Sequence, residues 1–157
     1  MQPKLSIDLD ELTFALTFHD PYLGSSYRFD LQTGAVIFVS DGVDAEDLPA
    51  DLDDDARYLR IDAVDSSVSW QIRADFAEQV SDSRLARRLL DALEQRKPFR
   101  RFEDALAQSP EAREAWFAFE RVALESEARA WCEASGITPV WTGYGARAIG
   151  SEGPDKA

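Results

Sequence analysis

The stretch Tyr27–Ser40, YRFDLQTGAVIFVS, decides the fold class of this chain. Its first part alternates apolar and polar residues with a period of two, and its second part is apolar and rich in β-branched side chains. Between them, Gly34 can supply the left-handed backbone conformation that a hairpin turn requires. The pattern predicts a β-hairpin. Because the second strand is apolar on both faces, we expect it to be central in its sheet or covered on both sides.

The segments that flank the hairpin add a helix and a third strand. Asp8 is a good N-cap, and the leucines that follow it at helical spacing predict a helix over about Leu9–Phe18, which ends before Pro21. The segment Tyr58–Ile61 predicts a third strand, which can pair antiparallel with the hairpin. An N-terminal helix and a small three-stranded antiparallel sheet follow from these signals.

The rest of the domain is predicted to be helical. Apolar residues recur every three or four positions, and each of four helix starts carries a capping residue or a proline in its first turn. Those starts lie near Asp65, Asp82, Pro98 and Ser109. The chain is therefore predicted to be a single α+β domain over residues 1–139, with a C-terminal layer of about four helices. Residues 140–157, rich in glycine, proline and charge, are predicted to form a flexible C-terminal tail.

The composition bounds the class of protein. The chain has 157 residues, 45% of them hydrophobic and 30% charged, which suits one globular domain. With no apolar run long enough to span a bilayer, no secretory signal and one cysteine, Cys132, we expect a cytoplasmic protein without membrane contact. The net charge of -13 repels a phosphate backbone and disfavours nucleic acid as a partner. No phosphate-binding glycine loop, dinucleotide fingerprint or zinc pattern is present, so no cofactor and no metal are predicted.

The charges are segregated along the chain. Asp41–Asp55 contains eight acids and no base, a pattern typical of a solvated loop, and its spacing does not match a calcium-binding loop. Arg84–Arg101 contains seven bases and two acids. The two stretches either complement each other within the fold, or the basic stretch forms a local site for an anionic ligand.

The segment Phe99–Asp104, FRRFED, is the most informative motif of the basic stretch. Arginine in an acidic protein usually has a defined partner, since its planar guanidinium pairs with carboxylate or phosphate and stacks on rings. Successive helical residues point about 100° apart, so Arg100 and Arg101 cannot share one face. One interpretation is architectural, with Arg100 paired to Asp104 four residues later. The other is a binding surface, to which the nearby Lys97 contributes.

A second motif, Trp116–Phe119, places three large aromatic residues in four positions. Trp116 and Phe119 share one face of the predicted helix, whereas Phe117 projects off that face. Either the helix is buried on two sides, or the aromatic residues form an exposed anchor for another protein chain, since tryptophan is enriched at binding hot spots.

The chain resembles a bacterial family of uncharacterised proteins, number 0158 of the UPF series, in three segments and in their order along the sequence. They are the hairpin Phe29–Phe38, the arginine motif Phe99–Asp104 and the aromatic motif Trp116–Phe119. The resemblance covers about Leu5–Thr138. It implies a cytosolic bacterial protein, and it brings no established activity, cofactor or catalytic residue.

The leading functional hypothesis is a non-enzymatic protein-interaction module that binds an acidic peptide or an acidic protein partner. Its cleft would be lined by Lys97, Arg100, Arg101, Trp116 and Phe117. The alternative is a regulatory protein that binds a phosphate-bearing small molecule or nucleic acid through the basic segment Arg96–Arg101. An enzyme that uses the one histidine, His19, is the least favoured, because no nucleophile motif stands near it.

Overall fold

The fold combines helices with two small sheets. A computed structural model describes residues 2–19 and 24–148. In chain order the elements are β1 (Lys4–Asp8), α1 (Leu9–Thr17), β2 (Ser25–Asp30), β3 (Val36–Ser40), β4 (Tyr58–Ile61), α2 (Ser66–Glu78), α3 (Ser83–Leu93), α4 (Pro98–Leu106), α5 (Pro110–Ala134), β5 (Thr138–Thr142) and α6 (Tyr144–Ala148). A 3₁₀ turn, Ala45–Asp47, lies between β3 and β4. The predicted α+β class is confirmed, as are the hairpin, the third strand and the four helices after it.

The chain divides into two compact units. The sheet unit comprises Met1–Ala63 and Leu124–Ala157, and the helical unit comprises Val64–Ala123. Helix α5 begins in the helical unit and ends in the sheet unit. The sequence predicted a single domain over residues 1–139. Caps and periodicity locate each helix, but they carry no information on which elements pack together.

The antiparallel sheet has the strand order β3-β2-β4, so β2 is central. Phe29 of β2 lies between Val36 of β3 and Leu59 of β4. The prediction that β3 is central or covered on both sides is wrong, because it is an edge strand whose residues are half-buried or exposed. The central place belongs to β2, which ends in the buried residues Phe29 and Asp30.

A largely buried ion pair links the end of β2 to the turn that precedes β4. The Nε and Nη2 atoms of Arg57 each donate to an Asp30 carboxylate oxygen at 2.9 Å. The Gln32 amide donates to the same carboxylate at 2.8 Å. Hydrogen bonding from Arg57 outweighs the opposing effect of burial, and together with the Gln32 bond it lowers the pKa of Asp30 to about 2.

This ion pair predicts a loss of stability at acidic pH. Because the pKa of Asp30 is lower in the folded chain than its ordinary value of 3.8, its contribution is present above pH 4 and disappears as the pH falls through 2. We expect Asp30→Asn to lower the free energy of unfolding near neutral pH and to remove about 2 kcal/mol of the pH dependence. Urea unfolding at several pH values between 2 and 6 measures both effects. Wild-type and variant curves that run parallel over this range would contradict the assignment.

A parallel strand pair joins the two ends of the described chain. β1 and β5 pair in register from Lys4 with Thr138 to Asp8 with Thr142. Helix α6 follows, and its Gly145 amide donates to an Asp10 carboxylate oxygen at 3.0 Å. Residues 140–148 are therefore structured, in contrast to the predicted flexible tail, and the remainder of that tail, residues 149–157, lies outside the described residues.

The core of the helical unit is aromatic. Trp116 lies 5.1 Å from Phe102 and 5.4 Å from Phe76, measured between ring centroids, in edge-on arrangements. Leu89 and Leu106 are fully buried in the same cluster. Helices α2, α3, α4 and the first part of α5 thus pack around one set of rings, which positions the starts of α2 and α4.

Candidate functional site

The candidate site is a groove of about 680 Å³ in the helical unit, at the starts of α2 and α4. Three apolar side chains and two cationic side chains contribute to it, together with two serines of the first turn of α2. The lining residues are Ser66, Ser67, Trp70, Lys97, Pro98, Phe99 and Arg100. An apolar floor with cations at its margin suits a ligand that carries both an apolar group and a negative charge.

The α2 wall of the groove is fixed by two hydrogen bonds. The Asp65 carboxylate caps α2 and accepts from the Ser67 amide at 2.8 Å. The Trp70 indole N–H donates to the Leu93 carbonyl at 2.9 Å. Because Leu93 is the last residue of α3, this bond satisfies one of the carbonyls that a helix end leaves without a partner. The indole ring is thereby held at the groove.

The α4 wall begins with a strained residue. Lys97 has a φ of 53°, and it is the one non-glycine residue with positive φ in the part of the chain that the structure describes. A left-handed conformation costs a non-glycine residue about 1–2 kcal/mol. Pro98 then opens α4 at its first position, and the Arg101 amide donates to the Lys97 carbonyl at 3.1 Å. A lysine at a position that favours glycine is a feature that functional sites often show.

The two adjacent arginines have different surroundings. The Nε atom of Arg101 donates to the Arg96 carbonyl at 2.9 Å, and Arg101 does not line the groove. Arg100 lines the groove, is exposed, and has no ion pair with any residue of the described chain. The predicted Arg100–Asp104 pair is therefore not formed. The prediction that the two arginines diverge is consistent with this geometry, and Arg100 is the one that is free for a ligand.

A half-buried arginine, Arg73, supports the floor of the groove. The Arg73 guanidinium lies 4.3 Å from the ring centroid of Phe99, and 5.2 Å from that of Trp116. Burial lowers the pKa of Arg73, while the negative charges of Glu120 and Glu103 oppose that change. Its Nη1 donates to the Ser69 carbonyl at 3.0 Å, and its buried Nε has no partner among the described residues. The Phe99 ring thus contacts the Arg73 guanidinium and also lines the groove.

The structure removes Trp116 from the predicted cleft. Trp116 is 1% exposed and lies in the aromatic core, so it is not available at a surface. Phe117 is 36% exposed and carries the Arg113 guanidinium 5.2 Å from its ring centroid, away from the lining of the groove. Of the five predicted site residues, the structure brings Lys97 and Arg100 together. The aromatic residues beside them are Trp70 and Phe99, neither of which is among the predicted site residues.

The two units differ in charge. The helical unit holds ten of the seventeen basic residues and eleven of the thirty acids, so it is nearly neutral. The sheet unit holds nineteen acids and seven bases, and it therefore carries almost all of the net charge of -13. The groove belongs to the unit whose surface repels an acidic ligand least.

The sheet unit contains a second cavity of about 330 Å³, to which His19, Tyr27, Arg60 and Asp62 contribute. Arg60 pairs with Asp62 at 2.9 Å, so its charge is already compensated.

Burial raises the pKa of the Cys132 thiol to about 11, which keeps it protonated. Within residues 2–19 and 24–148, no three His, Cys, Asp or Glu side chains are arranged to hold a metal ion. None of the described helices combines the length and apolar character needed to cross a bilayer.

Comparison with known proteins identifies the family. The model of the uncharacterised protein family UPF0158 matches residues 2–143. The chain belongs to this family. It is 32% identical over 140 residues to the UPF0158 protein PA5073 of Pseudomonas aeruginosa, and the match covers 88% of each chain. No solved structure matches this family member with significance. The resemblance inferred from the hairpin, the arginine motif and the aromatic motif is confirmed.

Proposed function

We propose that this UPF0158 protein is a cytoplasmic, non-enzymatic interaction module whose helical unit binds an acidic segment of another protein. The bound segment would place an apolar side chain against Trp70 and Phe99 and its carboxylates against Lys97 and Arg100. The observation that carries the proposal is the pair of cations at the margin of an apolar groove, neither of which has an ion pair with a described residue.

A groove of this kind gains stability when a ligand with an apolar group covers it. An apolar floor in contact with water is unfavourable by roughly 25 cal/mol for each Å² that a ligand would cover. A carboxylate at the margin adds charge-assisted hydrogen bonds to Arg100, whose planar guanidinium can take both oxygens at once. The apolar contact supplies affinity, and the charged contact selects acidic sequences over neutral ones.

A phosphate-bearing ligand fits the same groove less well. The start of α2 offers its amides to an anion, but the Ser67 amide is already bonded to Asp65. The Asp65 carboxylate also places a negative charge at that helix end, which would repel a phosphate there as it would a carboxylate. The apolar floor gives no hydrogen bond to a phosphate group. The binding experiment below therefore tests the phosphate-binding alternative by competition with phosphate.

The two neighbouring arginines provide a matched test. The probe is a labelled peptide with one phenylalanine followed by three glutamates, and its binding to the full chain is followed by fluorescence anisotropy. Arg100→Glu is expected to weaken binding at least tenfold, because the reversed charge repels the peptide carboxylates. Arg101→Glu changes the net charge by the same amount outside the groove and is expected to weaken binding less than threefold.

Competition completes this test. An analogue with glutamines in place of the glutamates should bind at least tenfold more weakly, and inorganic phosphate should compete only as strongly as chloride at equal ionic strength. Equal losses for the two arginine variants would contradict the proposed site. Displacement of the peptide by low concentrations of phosphate or of a nucleotide would favour the phosphate-binding alternative.

Lys97 offers a separate prediction, because stability and binding should change in opposite directions there. Lys97→Gly relieves the left-handed strain, so the free energy of unfolding should stay equal or rise by up to about 1 kcal/mol. The same variant removes a cation from the groove, and peptide affinity should fall about three- to tenfold. Lys97→Arg should keep the affinity. Urea unfolding and anisotropy measure the two effects, and a variant that binds as the wild type does would remove Lys97 from the site.

A further inference from the structure

The edge strand β3 has backbone groups that no described residue satisfies. The Asp30 amide donates to the Ala35 carbonyl at 2.9 Å, and the register of β2 with β3 continues from this pair. In an antiparallel ladder alternate residues face the partner strand, so Ile37 and Val39 bond to β2. Val36 and Phe38 therefore direct their N–H and C=O groups away from the sheet. An unpaired edge of this kind is a template for another strand.

The other edges in the described strands are each protected. β4 has four residues, and one of them, Arg60, places an exposed charge at its free edge. β5 contains Pro139, which has no N–H to donate. The β2–β3 turn packs against β1, since a Cβ at Gly34 would lie 2.3 Å from the Ser6 carbonyl oxygen. β3 is also short, but it contains no proline and no charged side chain, so it lacks two of the devices that keep an edge strand apart from other chains.

Most side chains of β3 are apolar, and that of Phe38 is open to solvent. Phe38 is 39% exposed, and its ring lies 5.1 Å from that of Tyr27 and 6.2 Å from that of Phe18. Phe14 of α1 is 57% exposed and continues the same cluster. The rings thus form an aromatic surface that extends from α1 to the free edge of β3. At that edge the ring of Phe38 remains exposed to solvent.

We infer that β3 pairs antiparallel with β3 of a second copy of this chain, centred on Phe38. In that register Phe38 lies opposite Phe38 and Val36 lies opposite Ser40, so the edge is complementary to itself. No like charges meet within the paired strands, because β3 is uncharged and Asp41 falls opposite Ala35 of the second copy, although the two acidic sheet units repel each other and weaken the contact. The aromatic clusters of the two copies become continuous. A contact centred on five-residue strands is small, so we expect dissociation constants in the micromolar range.

Two proline variants test the pairing. Sedimentation equilibrium of the full chain over a hundredfold concentration range should show a reversible dimer. Val36→Pro removes an N–H that points away from β2, so it should preserve the fold and weaken the dimer at least tenfold. Arg60→Pro removes an outward N–H at the opposite edge of the same sheet, and it should leave the dimer unchanged. Circular dichroism confirms that each variant is folded.

Amide hydrogen exchange of the wild-type chain tests the same contact without a substitution. The Val36 and Phe38 amides should exchange at least threefold more slowly at high than at low protein concentration, whereas the Arg60 amide should not change. This measurement decides the matter if Val36→Pro fails to fold. A monomer at every concentration, a dimer that Val36→Pro leaves intact, or concentration-independent exchange of both amides would overturn the inference.

Discussion

Replacing Gly34 with alanine is expected to lower the free energy of unfolding by about 2–5 kcal/mol. Gly34 has a φ of 82°, and the left-handed conformation alone costs an alanine about 1–2 kcal/mol. The added Cβ would also lie 2.3 Å from the Ser6 carbonyl oxygen. The Cβ is fixed directly to the backbone of the turn, and the oxygen belongs to the backbone of β1. The hairpin turn and β1 would therefore have to move apart, which adds about 1–3 kcal/mol. Urea unfolding followed by circular dichroism measures the loss.

Gly136 provides the matched control for this substitution. It has a φ of 75°, close to that of Gly34, and a Cβ there would meet no atom within 4 Å. Gly136→Ala therefore reports the conformational strain alone, about 1–2 kcal/mol. The difference between the two variants isolates the contact between the turn and β1. Equal losses for both would show that the turn does not press on β1 as the structure describes.

Replacing Trp116 with alanine is expected to destabilise the helical unit by about 3–5 kcal/mol. The ring is 1% exposed and contacts Phe76 and Phe102. Its removal leaves a cavity among rigid rings, and it also removes a π face from the Arg73 guanidinium, which lies 5.2 Å away. Chemical unfolding followed by the fluorescence of the remaining tryptophans measures the change.

Phe117→Ala is the neighbouring control. Phe117 is 36% exposed, and its ring contacts the Arg113 guanidinium on the outside of α5. Truncation at this surface position is expected to cost about 1 kcal/mol or less. Similar losses at positions 116 and 117 would contradict the placement of the core. A Trp116 variant that stays fully stable would favour the other interpretation of the motif, an exposed aromatic anchor.

Most of the local structure could be predicted from the sequence, because its signals are short-range. The Asp8 cap, the turn at Gly34 and the proline that opens α4 each fix one element through nearby groups, and all are present in the structure. The pairing of β1 with β5 joins residues more than 130 positions apart, and no local pattern encodes such a contact. For the same reason the apolar run of β3 identified a strand but not its place at the edge of the sheet.

The candidate site was only partly predictable. Lys97 and Arg100 share the start of α4 with Phe99, so one local motif contained three lining residues of the groove. Trp70 reaches the groove from α2, more than twenty residues earlier in the chain, through its bond to the Leu93 carbonyl. Its position depends on how α2 packs against α3, which periodicity does not specify. The sequence left Trp116 either in the core or in an exposed anchor, since an apolar stripe and an aromatic anchor have the same composition, and the structure places it in the core.

The tryptophan side chains allow the most direct test of the proposed binding function. The chain has four tryptophans, and the indole N–H groups of ¹⁵N-labelled protein can be followed individually as the phenylalanine-glutamate peptide is added. Trp70 lines the groove, whereas Trp116 is buried in the core. We predict that the Trp70 indole signal shifts on saturation, that the Trp116 signal stays in place, and that the glutamine analogue shifts the Trp70 signal much less at the same concentration. A Trp70 signal that does not respond, or that responds equally to the neutral peptide, would contradict the account.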